Sequence, residues 1–439
     1  MRLRLYLGYV VPALAVIAIA VSAVACGQAE PTATLAPRET PTPPLAQEPT
    51  TISWSFWGDP WEVQVNERVI AVFQADYPNI TVETQHEPWG TYFEKIEEWW
   101  AGDSPPDVMF LEFIPVYAAR GLLENLDPYI RRDGYDLSDF YPGLIDTFTY
   151  EDSIYGFARD NDTKVIYYNK AVFEEAGLPY PSSGWTWEDL RQALIGLTKR
   201  EGGVITQYGF AFEPNDWWRL WVWQGGGEVY DDDFAPTRTV IDGADSIEAL
   251  RWLAGLMNVD KVTPPYDLQK SSLGIGQLFQ DGKLAMTFGN HALLPAFAAT
   301  PSLRFDVVGL PRHKERVNVA GGASYVITSK SQNKEAAWTF LKWLEGPKGQ
   351  AIFTETGIGV PSRRSVGRAD VFLKQQPPHD AAVFLEETEL GRPNPVFEDV
   401  QETTRLFDEA FVPVWMGQKS VREAVEEVVP LVDAVLSGQ

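Results

Sequence analysis

Apolar and polar positions alternate along this chain in two periods, one of two residues and one near three and a half. Residues 51–57 alternate, with Ile52, Trp54 and Phe56 on one side, which predicts a strand stopped by Gly58. Val65, Val69, Val72 and Phe73 share one face of a predicted helix that ends before Pro78, and 80–83 is a short strand. Phe93, Ile96 and Trp100 mark a second helix over 91–101, and 107–111, with Val108, Met109 and Phe110, is the near-continuous apolar run of a strand buried on both faces. Residues 115–120 read as a short helix closed by Gly121. Strands and helices in strict alternation predict an α/β domain, its sheet mostly parallel and covered by helices on both faces.

A second α/β series begins near residue 163. It comprises a strand over 165–168 and a helix over 171–176 that Gly177 stops. Thr186 and Asp189 form a capping-box pattern opening another helix. A strand over 208–212, a helix over 217–224 and the break Gly225-Gly226-Gly227 follow. Helices over 246–257 and 272–280 lead to strands over 284–288 and 305–308. After Gly321-Gly322 come a strand over 325–328 and a helix over 335–344, and Ser420 with Glu423 caps the last helix. No self-similarity recurs at solenoid periods.

The first fifty residues follow neither period. Arg2 and Arg4 precede an apolar run over 5–25 that ends in small residues, Ser22, Ala23 and Ala25, the order of a secretory signal. Cys26, the single cysteine of 439 residues, follows directly. The segment resembles a bacterial lipobox, with Ala23 where Leu is usual, which implies a lipidated Cys26 holding the chain to the outer side of a membrane. A transmembrane anchor is the alternative, since the run is about as long as a bilayer core is thick; both export the remainder. Residues 27–50 are Pro, Thr, Ala and Glu with little to bury, a semi-rigid extended tether.

The remaining 51–439 is long enough to suggest two domains. The net charge of −25 argues against nucleic acid or anionic lipid as a partner of the folded part. Aromatic content stands out, with 16 Trp, 17 Tyr and 23 Phe. Several Trp lie in polar, turn-like surroundings, and a flat ring there suits the apolar face of a pyranose. Trp99, Trp100, Trp252, Trp338 and Trp343 sit at helical spacing and are assigned to the core.

The order of short motifs is familiar: ISWSFWG at 52–58, DVMFL at 107–111, GFARDNDT at 156–163, YYNK at 167–170, EAGLP at 175–179 and WTWE at 185–188. FQDGKLAM at 279–286, GGAS at 321–324, AAWTF at 336–340 and GIGVP at 357–361 continue it. Together they resemble the maltose-binding-protein-like extracellular solute-binding proteins of family 1. The resemblance implies a type II periplasmic-binding-protein-like α/β fold with two lobes, each a mostly parallel sheet flanked by helices. Hinge crossovers would fall near 161–163, 321–324 and 363–368. Lobe 1 would take 51–161 with 324–365, and lobe 2 would take 162–323 with 366–439. It also implies a monomeric binding protein, not an enzyme, that needs no cofactor and delivers a mono- or oligosaccharide to the permease of an ABC importer.

Ligands of parallel α/β lobes sit beyond the carboxyl ends of the strands. That rule selects Trp57 and Asp59 after the first strand and Glu112 and Phe113 after the 107–111 strand. It selects Glu213 and Trp218 after the 208–212 strand, and Asn290 and His291 after the 284–288 strand. Asp162 lies in the hinge. The resemblance implies sugar-binding roles for Asp59, Asp162 and Glu213, with Trp218 stacking, and places Gly322 and Trp217 at the cleft. Trp218 is assigned to stacking because Trp217, Trp218, Trp221 and Trp223 cannot all face one apolar side of a helix. Trp89, in the loop 86–90, is a further candidate. Ionised carboxylates accept paired hydrogen bonds from vicinal hydroxyls, which is the chemistry such residues would supply.

His291 and Ala292 stand where the family often has Trp, and Leu111 where some maltodextrin binders have an aromatic, so maltose itself is not implied. His86, His291, His313 and His379 show no zinc spacing. A non-sugar solute (a glycerophosphodiester or a polyamine) and an extracellular glycoside hydrolase are the rival readings.

Overall fold

Ten strands build two five-stranded sheets in a computed structural model that describes residues 48–58, 60–214, 217–270, 272–357 and 359–438. The signal-like run, Cys26, the tether up to residue 47 and Asp59 lie outside the described residues. In chain order the strands are β1 (Thr50–Trp57), β2 (Ile80–Glu87), β3 (Val108–Leu111), β4 (Gly156–Ala158) and β5 (Val165–Asn169). They continue as β6 (Lys199–Glu201), β7 (Val204–Ala211), β8 (Leu284–Gly289), β9 (Phe305–Val308) and β10 (Ser324–Ile327). The first sheet has the order β2-β1-β3-β10-β4 and the second β9-β5-β8-β7-β6.

Both sheets are mixed, which corrects the expectation of mostly parallel ones. β1 runs parallel to β2 and β3, and β7 parallel to β8, as strand–helix–strand units require. β10 runs antiparallel to β3 and β4, and β5 antiparallel to β8 and β9. The cause is the route of the chain. β5 and β10 are each entered from the other sheet, so they start at the edge where their neighbours finish.

The sheets organise separate cores. Ile52, Trp54, Phe56, Val69, Phe73, Phe110, Tyr325 and Trp338 belong to one cluster around the first sheet. In β5 the period of two sends Ile166 and Tyr168 to one cluster and Val165 and Tyr167 to another, so the second sheet is packed on both faces. Trp99 and Trp338 are buried, and Trp100, Trp252 and Trp343 pack half-buried against the clusters. Val360, Phe372, Ala381 and Phe384 pack with β5 and β9 residues, whereas Arg363 bonds Asp139 at 3.0 Å beside the first sheet.

Capping boxes form as expected at Thr186 with Asp189 and at Ser420 with Glu423. The second of these opens the Val421–Leu436 helix, which packs with the Val400–Trp415 helix onto the second sheet. Their shared cluster takes in Trp218, whose ring lies 5.4 Å from Phe407 and 5.0 Å from Phe411 and is 0% exposed. Trp218→Ala is expected to cost about 3–5 kcal/mol of stability through the cavity it leaves, a loss that chemical denaturation measures.

Candidate functional site

The strand ends select the site. Ser324 pairs with Leu111 and with Ala158, so the residues beyond those ends, Glu112, Arg159 and Ala323, emerge side by side at one edge of the first sheet. Gly289 pairs with Val165, which sets Asn290 beside Lys164 at the facing edge of the second sheet. Between the two edges lies a cavity of about 660 Å³, within the range of a small-molecule site.

Two crossing segments form part of its lining. Asp162 N–H donates to the Gly321 carbonyl at 2.8 Å and Arg159 N–H to the Ala323 carbonyl at 3.2 Å. Gly322 has φ of 140°, and a Cβ there would stand 2.8 Å from the Asp160 carbonyl oxygen, so only glycine lets the segments run this close. Beside them the short pairs Asp160–Asn161 with Val360–Pro361 and Asn318–Ala320 with Gly391–Pro393 complete the crossing.

Trp57, Glu112, Phe113, Asp162, Trp217, Asn290, His291 and Gly322 all line the cavity. Trp57 is held against Phe110 at 4.2 Å and Tyr92 at 5.2 Å. Phe113, 41% exposed, stands in the left-handed backbone region with φ of 55°, an uncommon conformation for a bulky residue. Trp217 is half-buried, with Lys164 Nζ 3.8 Å from its ring centroid. His291 is 1% exposed, and its Nδ1 donates to the Gly357 carbonyl at 3.0 Å; burial pushes its pKa down to about 4, so it sits neutral in the wall.

Three expected residues lie elsewhere. Trp218 is a core residue: it opens the Trp218–Gln224 helix and turns to Phe407 and Phe411, so its neighbour Trp217 presents the ring at the cavity. The crowding of four Trp in one short segment was real, but the second sheet and the C-terminal helices enclose this helix on several sides and bury Trp218, Trp221 and Trp223. Glu213 stands in a left-handed turn, φ 50°, and is not in the lining. Trp89 is 60% exposed and absent from the lining; Phe93 lies 5.8 Å from it and 5.6 Å from Trp57.

The lining also holds residues that the sequence alone did not single out: Thr147, Arg159, Asp160, Arg219, Gln401 and Thr404. Arg159 and Asp160 sit inside the GFARDNDT motif, three and two positions before the chosen Asp162. Gln401 and Thr404 come from a helix nearly two hundred positions beyond Trp217, and no local signal ties them to the strand ends.

Charge in the cavity is largely paired. Arg159 Nε donates to Asp160 at 2.8 Å, and its guanidinium lies 4.4 Å from the Phe110 centroid. Lys164 Nζ donates to Asp162 at 2.8 Å, and Asn290 also donates to Asp162. Among the described residues Glu112 has no such cation. Burial first, then the nearby charges of Asp162 and Asp160, push its pKa up to about 7. Rings, hydroxyls and paired carboxylates can bind a polar solute; among the described residues no group of three or more His, Cys, Asp or Glu could hold a metal ion.

Known proteins share this architecture. The bacterial extracellular solute-binding protein family matches residues 58–351. The galactooligosaccharide-binding protein of Bacillus subtilis is 20% identical over 377 residues, 84% of this chain and 86% of its own. An ABC substrate-binding protein of Listeria monocytogenes, solved in complex with cycloalternan, superposes with a TM-score of 0.77 at 24% identity, covering 89% of this chain and 100% of that one. UgpB of Mycobacterium tuberculosis, solved with glycerophosphocholine, superposes at 0.75 with 20% identity, covering 88% of this chain. These likenesses carry the two-lobed fold, and the family match, which spans most of the folded region, carries the class. The chain belongs to the bacterial extracellular solute-binding proteins, which bind their solutes and do not transform them.

Proposed function

We propose that this chain captures a carbohydrate in the cavity between its two lobes and hands it to the permease of an ABC importer, while a lipidated Cys26 and the tether over 27–50 hold it at the membrane. The lobes are 51–161 with 324–365 and 162–323 with 366–439. The observation that carries the reading is the composition of the cavity: Trp57, Phe113 and Trp217 bring rings to the same space as Glu112, Asp160 and Asp162. Rings take the apolar face of a pyranose and carboxylates take its hydroxyls. The names of the Bacillus subtilis and Listeria monocytogenes relatives support it.

A polyamine fits poorly, because Arg159 and Arg219 line the same space and Lys164 stands behind Trp217. A phosphodiester of a polyol is the second reading, favoured by those two arginines and by the Mycobacterium tuberculosis relative's ligand.

Thermal-shift screening of the full chain against a carbohydrate library tests the proposal. One or more sugars should raise Tm and emerge chemically unchanged, and a library without a single hit would refute it. Trp217→Ala should weaken the sugar that binds by at least about tenfold, measured by calorimetry, with Tm nearly unaltered.

Glu112 gives a pH dependence. Its pKa is raised in the folded chain from an ordinary 4.5 to about 7, so the folded state holds a proton that the unfolded state releases. The stability linked to that proton is complete below about pH 4.5 and lost as pH rises through about 7. Tm of the unliganded chain should therefore fall between pH 5 and 8, and Glu112→Gln should flatten that fall by a few degrees.

A further inference from the structure

Arg219 differs from the other cations of the cavity. Arg159 and Lys164 are bound to Asp160 and Asp162, and elsewhere on the second lobe Arg191, Arg304, Arg316 and Arg392 each pair with a carboxylate. Arg219 has no carboxylate within ion-pair distance among the described residues. Its Nη1 donates to the Thr404 hydroxyl at 3.1 Å, and its Nε is buried with no acceptor. Asp408, a nearby carboxylate that also influences Tyr230, accepts from Trp218 Nε1 at 3.4 Å.

A buried guanidinium donor without an acceptor is costly, and because this one belongs to a residue that lines the cavity, a bound ligand is one group that could complete it. The fork formed by Nε and the adjacent terminal nitrogen matches two oxygens of one anionic group, a geometry that a lone hydroxyl cannot satisfy. The surroundings suit an anion. Thr404 braces the guanidinium from one side, and Gln401, one helical turn earlier on the same helix, also lines the cavity. Of the carboxylates that line the cavity, Asp160 and Asp162 are each paired with a cation, and burial raises the pKa of Glu112 to about 7.

We propose that the ligand is an acidic carbohydrate, whose carboxylate or phosphate group docks on the fork of Arg219 while its neutral rings lie toward Trp57 and Trp217. The assignment rests on the reading of the cavity as a carbohydrate site. It makes Arg219 the residue that selects among sugars.

Calorimetry on the full chain with matched sets tests it, each set holding a neutral oligosaccharide, its uronate-bearing counterpart and its phosphate-bearing counterpart, with glycerophosphocholine as a separate arm. At least one charged member should bind ten times or more tighter than its neutral partner, and which member does so identifies carboxylate or phosphate. Arg219→Gln should reduce that preference to threefold or less, and Arg219→Lys, which keeps the charge but not the fork, should restore only part of it. Unliganded Tm of both variants, within about two degrees of the parent, shows that the fold is intact. Neutral sugars binding as tightly as their charged partners, or a charge preference that survives Arg219→Gln, overturns the role of Arg219 and leaves the carbohydrate reading standing. Binding of glycerophosphocholine alone, lost in Arg219→Gln, keeps the anion dock and overturns the carbohydrate. Binding of nothing overturns both.

Discussion

Between β4 and β5 the chain leaves one sheet and enters the other, and its backbone must cross buried ground without losing hydrogen bonds. An unsatisfied buried amide costs about 1–3 kcal/mol, so each group on this path needs a partner fixed in place. Asn161, nearly inaccessible, donates to Thr388 at 2.9 Å and to Thr163, and accepts from Gly321 N–H at 3.4 Å. Asn318 brackets the next peptide: its Oδ1 accepts from Lys164 N–H at 3.1 Å, and its Nδ2 donates to the Lys164 carbonyl at 2.8 Å and to Glu387 at 2.8 Å. The two crossing segments are thereby tied to each other and to the helix over Ala382–Thr388. The cavity inherits a firm floor from this network, and Gly322, where a Cβ would stand 2.8 Å from the Asp160 carbonyl oxygen, leaves no room in it for a side chain.

That floor explains why the wall residues come from both sheets. Trp57, Glu112 and Phe113 follow strands of the first sheet, whereas Trp217, Asn290 and Arg219 belong to the second. A solute held by both sets favours the arrangement that brings them together, and one held by a single set would leave the equilibrium of the lobes where it was. The crossing also settles strand direction. A strand fed from the opposite sheet begins at the cavity edge, so β5 and β10 oppose their neighbours, and the sheets cannot be uniformly parallel.

Much of this was legible in the sequence because strands with a two-residue period and helices with caps declare themselves locally. The β1 alternation, the apolar run of β3 and both capping boxes appear where the pattern put them. The rule that sites follow strand ends selects Trp57, Glu112, Phe113 and Asn290, all of which line the cavity, since it needs only a strand's last residue. Where the loop after the strand is longer, it selects Glu213 and Trp218, which do not line the cavity. After β7 the chain turns through Glu213 in a left-handed conformation before the next helix starts, and which of two adjacent tryptophans meets the cavity depends on the C-terminal helix packed behind them. Phe407 and Phe411 claim Trp218, and nothing near residue 218 announces them. Thr404 and Gln401 escaped notice for the same reason, being brought to the site by tertiary packing.

The overall charge of −25 opposes an anionic guest at long range, but range decides the matter. Fields from exposed carboxylates fall off within about 8 Å at physiological ionic strength, while groups enclosed in the cavity are screened far less. Inside, the ion pairs are formed by near neighbours in sequence, Arg159 with Asp160 and Asp162 with Lys164, so each carboxylate's field is reduced by its partner, though both still act on Glu112. Among the described residues of the lining, Glu112 and Arg219 have no ion-pair partner: Glu112 sheds its charge by keeping a proton as pH falls below about 7, and Arg219 has no means of shedding its own. The surface charge therefore bears on how fast a charged solute arrives, and these two side chains bear on whether it stays. A neutral sugar would leave the guanidinium of Arg219 short of acceptors in the cavity, whereas an acidic one would complete it.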